Sequence, residues 1–290
     1  NITDTDFVTI GVTCQYRATN GGGKFGTFKC SSCSQSHTTC PLLPIYKLIK
    51  TIFDAVFGSR LVRKMVLGIF GYHWNGWFLG LVGYRAVHMV EPGDSCILAG
   101  IFSESTIKAF SRRVGENGSV LVIEANPLNI ERLKRNTSIL KNVCFTNKAV
   151  WRESGEMEFL TSSQDRAQGY NRLASPELQD FPVHMVENPQ TIKVPTDTLD
   201  NITKESGLKK VSHVNLTING AELQALEAID EIQKANPKMR IYINSEMPVP
   251  AEKTIQRLKQ KGFRVYLSHW IRTLNRKIRL VRIYAVGGGR

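Results

Sequence analysis

Short apolar runs entered through turn residues recur along the second two-thirds of the chain. Residues 95–100 (SCILAG) follow Pro92-Gly93-Asp94, and residues 119–124 (SVLVIE) follow Glu116-Asn117-Gly118. Such runs read as buried strands. Between them, 103–114 has the spacing of a helix, and Pro127 with Ile130, Leu133 and Ile139 behind it opens another. Residues 143–150 read as a third strand and 156–160 as an edge strand, while the polar, turn-rich stretch 163–195 reads as a long surface excursion. The alternation then returns. Strand 211–218 precedes a helix over 221–235 that turns Leu223, Leu226 and Ile229 to the core. Strand 239–244 precedes a helix over 250–261 closed by Gly262, and strands 263–267 and 278–286 follow with no helix between them.

Strands alternating with helices predict a parallel α/β sheet. The last pair lacks a crossover, and a parallel join needs about a dozen residues or more, so it must be a hairpin. The expected fold class is therefore α/β, a Rossmann-like domain over 91–290 with a seven-stranded, mostly parallel sheet and an antiparallel C-terminal hairpin. Ahead of it, 1–43 reads as a loose leader rich in Cys, Gly and Ser, and 44–90 as a helical, partly apolar segment. Residues 65–83 carry no charge, which invites a membrane-spanning reading, but His73, Asn75 and five glycines interrupt them. Packing against the following domain is the preferred reading, with membrane-surface contact through Tyr72, Trp74, Trp77 and Phe78 as the alternative.

Composition narrows the classes. With 42% hydrophobic and 22% charged residues in 290, wholesale disorder, collagen-like repeats and a coiled-coil rod are excluded. The net charge of +13 is concentrated at the ends. Residues 251–290 hold eleven cations against Glu252 alone, the first ninety carry +6, and the middle is slightly negative. Two basic ends favour an anionic partner or surface, such as nucleic acid, a membrane face or an acidic glycan. No aromatic-interleaved or zinc-finger spacing points to nucleic acid in particular. Cys14, Cys30, Cys33 and Cys40, with His37 among them, are a weak candidate metal set, because the Cys30-x-x-Cys33 spacing lacks a second close pair. The chain opens with Asn rather than Met and shows no secretory signal pattern, so it reads as a processed or incomplete product with a cytoplasmic location.

Several blocks resemble the FkbM family of methyltransferases. Glu91-Pro-Gly-Asp94 is similar to the family's entry to its first strand, and Gly115-Glu-Asn-Gly118 with Ser119 to Pro127 resembles its "G..G.V.AFEPNP" block. Leu133-Lys-Arg-Asn136, Asn147-Lys-Ala149 with Gly155, and Asp197-Thr-Leu-Asp200 resemble later blocks. Asn219-Gly-Ala-Glu222 and Glu246 resemble the ends of the fourth and fifth strands. The sequence departs from the family after the first strand, where Leu98-Ala-Gly-Ile-Phe-Ser-Glu104 lacks an acidic residue and a second glycine. In the fourth strand, Asn215, Thr217 and Asn219 replace expected charges.

The resemblance implies a class I fold and S-adenosylmethionine (SAM) as cofactor, with a small-molecule or glycan hydroxyl as acceptor. Gly100, Glu124, Asn126, Asn147 and Asn219 are the expected cofactor-binding residues, and Glu246 and Glu222 the expected catalytic pair, with His213 or His269 as substitute bases. Two of these stand on physical grounds as well. An acidic residue at the carboxyl end of the second strand can accept from both ribose hydroxyls of a nucleoside, and a glycine after the first strand lets backbone approach a ligand. The rival expectation is a non-catalytic relative that binds an anionic partner.

Overall fold

The computed structural model describes residues 7–9, 12–17, 27–30, 36–37, 86–101, 103–162, 171–178, 189–245, 248–271 and 279–288. Near its start, Phe7–Thr9 (β1), Val12–Arg17 (β2), Thr27–Cys30 (β3) and Ser36–His37 (β4) pair antiparallel in that order. The stretch expected to be a loose leader thus carries a four-stranded meander, built on β-branched and aromatic residues. The apolar stretch 65–83 lies outside the described residues. Among the described residues, no helix is long and apolar enough to cross a membrane.

The main domain begins with strand Ser95–Ala99 (β5), helix Glu104–Val114 (α1), strand Ser119–Ile123 (β6), helix Pro127–Asn136 (α2) and strand Val143–Thr146 (β7). Strands Ala149–Val150 (β8), Gly155–Ser162 (β9), Arg172–Leu173 (β10) and Pro189–Asp197 (β11) follow, then helix Leu199–Glu205 (α3) and strand His213–Leu216 (β12). Helices Glu222–Glu227 (α4) and Asp230–Ala235 (α5), strand Arg240–Ser245 (β13), helix Pro248–Gln260 (α6) and strands Arg264–Ile271 (β14) and Arg279–Val286 (β15) complete it.

One sheet of seven strands has the order β14-β15-β13-β12-β5-β6-β7, parallel from β13 through β7. β15 inserts antiparallel between β13 and β14, which is the expected hairpin. The central strands are buried on both faces, which explains why they read as unbroken apolar runs. Side-chain alternation divides them between two cores. Ile97, Ala99, Leu121, Ile123, Ile241 and Ile243 pack with Leu226 of α4 and Leu258 of α6. Cys96, Leu98, Val120, Val122 and Tyr242 pack on the other face with Ile107 and Phe110 of α1 and Leu133 of α2. Arg240 ties the entry to β5, donating to the Met89 carbonyl at 2.5 Å and to the Asp94 carboxylate at 2.6 Å.

A second sheet, β10-β9-β11-β8, replaces much of the expected surface excursion. β11 pairs antiparallel with β9 over eight residues, from Pro189 opposite Ser162 to Thr196 opposite Gly155. Its two prolines and exposed polar positions disguised it. Pro195 costs little there, because β8 pairs only with Thr196 and Asp197, so the strand's other edge is open beside the proline. The expected strand 143–150 divides at Asn147-Lys148, with β7 in the first sheet and β8 in the second. The expected helix 221–235 also divides, into α4 and α5. Asp200 separates them: its carboxylate accepts from the Glu231 and Ile232 N–H groups at 3.1 and 2.9 Å and so caps α5.

Candidate functional site

A small open cleft lies beyond the carboxyl ends of β5, β6 and β12. The strand ends contribute Gly100, Ile123, Glu124 and Thr217, the turn after β12 adds Ile218 and Asn219, and the second sheet supplies Val150, Phe159 and Leu173. In an open α/β sheet this is the edge where ligands bind.

Gly100 turns the chain from β5 toward α1 with φ +75°, and its N–H donates to the Ile123 carbonyl at 2.9 Å. A Cβ built on it would lie 2.1 Å from the Thr217 carbonyl oxygen. The glycine therefore lets the ends of β5 and β12 close on each other and shapes the cleft floor. Glu104, at the place of the family's second glycine, forms an ion pair with Arg132 and accepts from Asn136 at 3.1 Å, joining α1 to α2.

Glu124 is 6% exposed. Its Oε1 accepts from the Asn126 N–H at 2.8 Å, which fixes the carboxyl group at the cleft. Burial pushes its pKa up to about 7, although hydrogen bonds from Asn126 and Asn129 and the charge of Arg132 pull the other way. Lys148 lines the same cleft. It donates to Asp197 at 2.8 Å and Glu205 at 2.6 Å, and these bonds raise its pKa, so it stands as a fixed ammonium rather than a base. Asp197 is pulled well below the usual carboxylate range. Burial opposes this, but bonds from Lys148, Ser154, Asn201 and the Thr198 N–H prevail.

Of the five expected cofactor-binding residues, Gly100, Glu124 and Asn219 line the cleft. The other two frame it. Asn126 caps α2, accepting from Leu128 and Asn129, and its Nδ2 donates to Thr161 of β9 at 2.9 Å. The Asn147 amide donates to the Glu124 and Ala125 carbonyls at 2.8 and 2.9 Å, pinning the end of β6 to the β7–β8 break.

The expected catalytic residues fare differently. Glu222 is buried, with Oε1 accepting from the Ile218 N–H at 3.3 Å and Oε2 from the Gly220 N–H at 3.0 Å. It holds the turn in which Asn219 adopts φ +52° and is not among the residues that line the cleft. His213 begins β12, at the other end of the strand from Thr217 and fully buried, with its ring 5.7 Å from that of Phe110 and neither nitrogen hydrogen-bonded. Burial, with the Arg240 charge adding to it, holds its pKa down to about 3. It is a neutral core residue, not a base for the cleft. Glu246 lies outside the described residues, as does the side chain of His269. Cys14 and Cys30 are register partners of β2 and β3, while Cys33 and Cys40 lie outside the described residues.

The buried imidazole has a measurable consequence. Its folded pKa is about 3 and its unfolded value about 6.5, so the unfolded chain binds the extra proton between them and this contribution to stability falls as pH falls. His213→Phe is expected to gain roughly 1.4 kcal/mol per pH unit relative to the parent below about pH 6. Urea unfolding of both proteins from pH 7 to 5 checks it; parallel pH dependences would refute a neutral buried ring.

Sequence signals for Asn171 and Leu173 as cleft residues were weak, because they lie in a stretch that read as a surface excursion, and Lys148 and Phe159 lie in stretches that read as strands without being marked as part of a site. Residues 88–265 match the family model described as the methyltransferase FkbM domain. No curated protein matches the chain. Among solved structures, the chain is similar to Aeropyrum pernix fibrillarin with natively bound S-adenosyl-L-methionine (14% identity, 73% of each chain, TM-score 0.43). It is also similar to a precorrin-6y C5,15-methyltransferase from Geobacter metallireducens (14% identity, 69% of this chain and 86% of that one, TM-score 0.38). An rRNA methylase from Streptococcus thermophilus is a third (12% identity, 69% and 96%, TM-score 0.39).

Proposed function

We propose, from the premise that the chain belongs to the FkbM methyltransferase domain family, that this methyltransferase acts on a hydroxyl of a sugar or glycan-like acceptor. Its methyl donor is S-adenosylmethionine. The residues present suit that group at its nucleoside end: a buried, oriented carboxyl group at the end of β6 and a turn glycine after β5 meet in one cleft. Glu124 would hold the ribose hydroxyls, and Gly100 would let the backbone lie close to the ligand. When bound, the donor supplies a methyl group on a sulfonium, ready for displacement by an oxygen nucleophile.

The observation that carries the acceptor proposal is the match of residues 88–265 to the FkbM domain, and the cleft is compatible with it. Among the described lining residues the sole carboxyl group is Glu124, and Lys148 is held charged by Asp197 and Glu205. A hydroxyl must give up its proton as it takes the methyl group, so the site needs a proton acceptor beside positioning. Ile123, Phe159, Leu173 and Ile218 give the cleft apolar walls that can exclude water. The hydroxyl proton then passes to solvent or to Glu246, the residue that follows β13 in sequence. The basic ends of the chain add an attractive field for acidic acceptors.

Methyl-labelled SAM incubated with the protein and a panel of neutral and acidic sugars tests this. Label in a base-stable methyl ether is the expected product. Label appearing on nitrogen, carbon or carboxylate acceptors but on no hydroxyl would overturn the proposal.

A further inference from the structure

Resting on the reading that this cleft takes S-adenosylmethionine, we infer that Asn171 is a further binding residue, whose amide nitrogen donates a hydrogen bond to the bound methyl donor. Asn171 is 8% exposed and lines the cleft together with Glu124 and Gly100. Its Oδ1 accepts from the Ser162 N–H at 3.1 Å. Only an amide oxygen can accept from a backbone N–H, so this bond fixes which end of the amide is which. The other end, Nδ2, is buried and has no hydrogen-bond partner in the protein. Of the buried side-chain polar atoms without a partner among the described residues, it is the one on a cleft-lining residue.

An amide donor taken out of water without an acceptor costs about 1–3 kcal/mol, so a folded protein keeps few of them. Here the surroundings hold the donor in place. The Asn171 carbonyl accepts from Asn219 Nδ2 at 2.7 Å, which ties it to the turn after β12. The next two residues pair with β9, Arg172 opposite Leu160 and Leu173 opposite Phe159. The residue is thus anchored by its carbonyl, its Oδ1 and the following strand, with one donor left over at the ligand site. Glu124 offers an acceptor and Asn171 a donor. That pairing suits a nucleoside, which carries hydroxyl donors together with acceptor oxygens and ring nitrogens.

The test is calorimetric titration of the parent protein, Asn171→Asp and Asn171→Ala with SAM and with S-adenosylhomocysteine, beside a thermal melt of each. Asn171→Asp keeps an oxygen for the Ser162 N–H but puts a carboxylate oxygen where the donor was, and Asn171→Ala removes the donor without adding charge. Loss of one ligand hydrogen bond predicts about tenfold weaker binding of S-adenosylhomocysteine, which lacks the sulfonium charge, in both variants and of SAM in Asn171→Ala, with each variant still melting cooperatively. Parent-like dissociation constants in the folded variants would overturn the assignment of Asn171 and leave the SAM reading intact. A parent protein that binds neither nucleoside would overturn both.

Discussion

Glu124→Gln is expected to weaken SAM binding by about a hundredfold while the protein stays folded. The amide keeps an oxygen for the Asn126 N–H but presents a neutral group, with its own N–H donors, where the ligand's hydroxyls need an acceptor. Hydrogen bonds to a charged acceptor are worth roughly 1.5–3 kcal/mol each, so losing the charge and one acceptor position gives a change of that size. The pH dependence is the sharper readout. Burial holds the ligand-free carboxyl at a pKa of about 7, and donating hydroxyls favour the ionised form, so binding expels a proton. Affinity in the parent should rise by up to about tenfold per pH unit from pH 5 to 7 and level off above. In Glu124→Gln the profile should be flat over that range. Calorimetry in buffers of different ionisation enthalpy measures both quantities. Equal affinity in parent and variant would remove Glu124 from the site.

The second large effect is on the frame. Gly100→Ala is expected to cost roughly 2–5 kcal/mol, through two separate causes. The backbone at φ +75° is strained for any L side chain, by roughly 1–2 kcal/mol, and the added methyl would press on the Thr217 carbonyl, with overpacking worth a further 1–3 kcal/mol. That carbonyl belongs to rigid backbone at the end of β12, so relief requires the two central strands to move apart. A urea melt shifted by less than about 1 kcal/mol would show that the strand ends give way easily.

Much of this was legible in the sequence because parallel strands buried on both faces leave an unmistakable trace. The runs at β5, β6, β12 and β13 needed no context to be read, and Glu124 and Gly100 followed from their positions at strand ends. The part of the second sheet that fell in the expected excursion, β10 and β11, was hidden for a physical reason. β11 has only Val194, Thr196 and Asp197 buried, so its pattern is that of a half-solvated strand with prolines, and β10 is two residues long. Asn171 and Leu173 were hidden with it, whereas Phe159 sits in β9, part of which read as an edge strand. Glu222 shows the opposite failure: its place in a family-like block marked it as important, yet only coordinates reveal both oxygens committed to the backbone of its own turn. His213 looked like a base because sequence does not record that its strand begins deep in the core.

The pairing of β5 with β12 sets an order of events during synthesis. β5 needs β6 on one side and β12 on the other, and β12 is made more than a hundred residues after β5. At 5–20 residues per second, roughly 6–23 s pass between the two leaving the ribosome. Through that interval β5 presents an unpaired apolar edge with Ile97 and Leu98 on its two faces. The nascent chain is at its stickiest then, and its yield in a cell should depend on chaperones that shield that one edge.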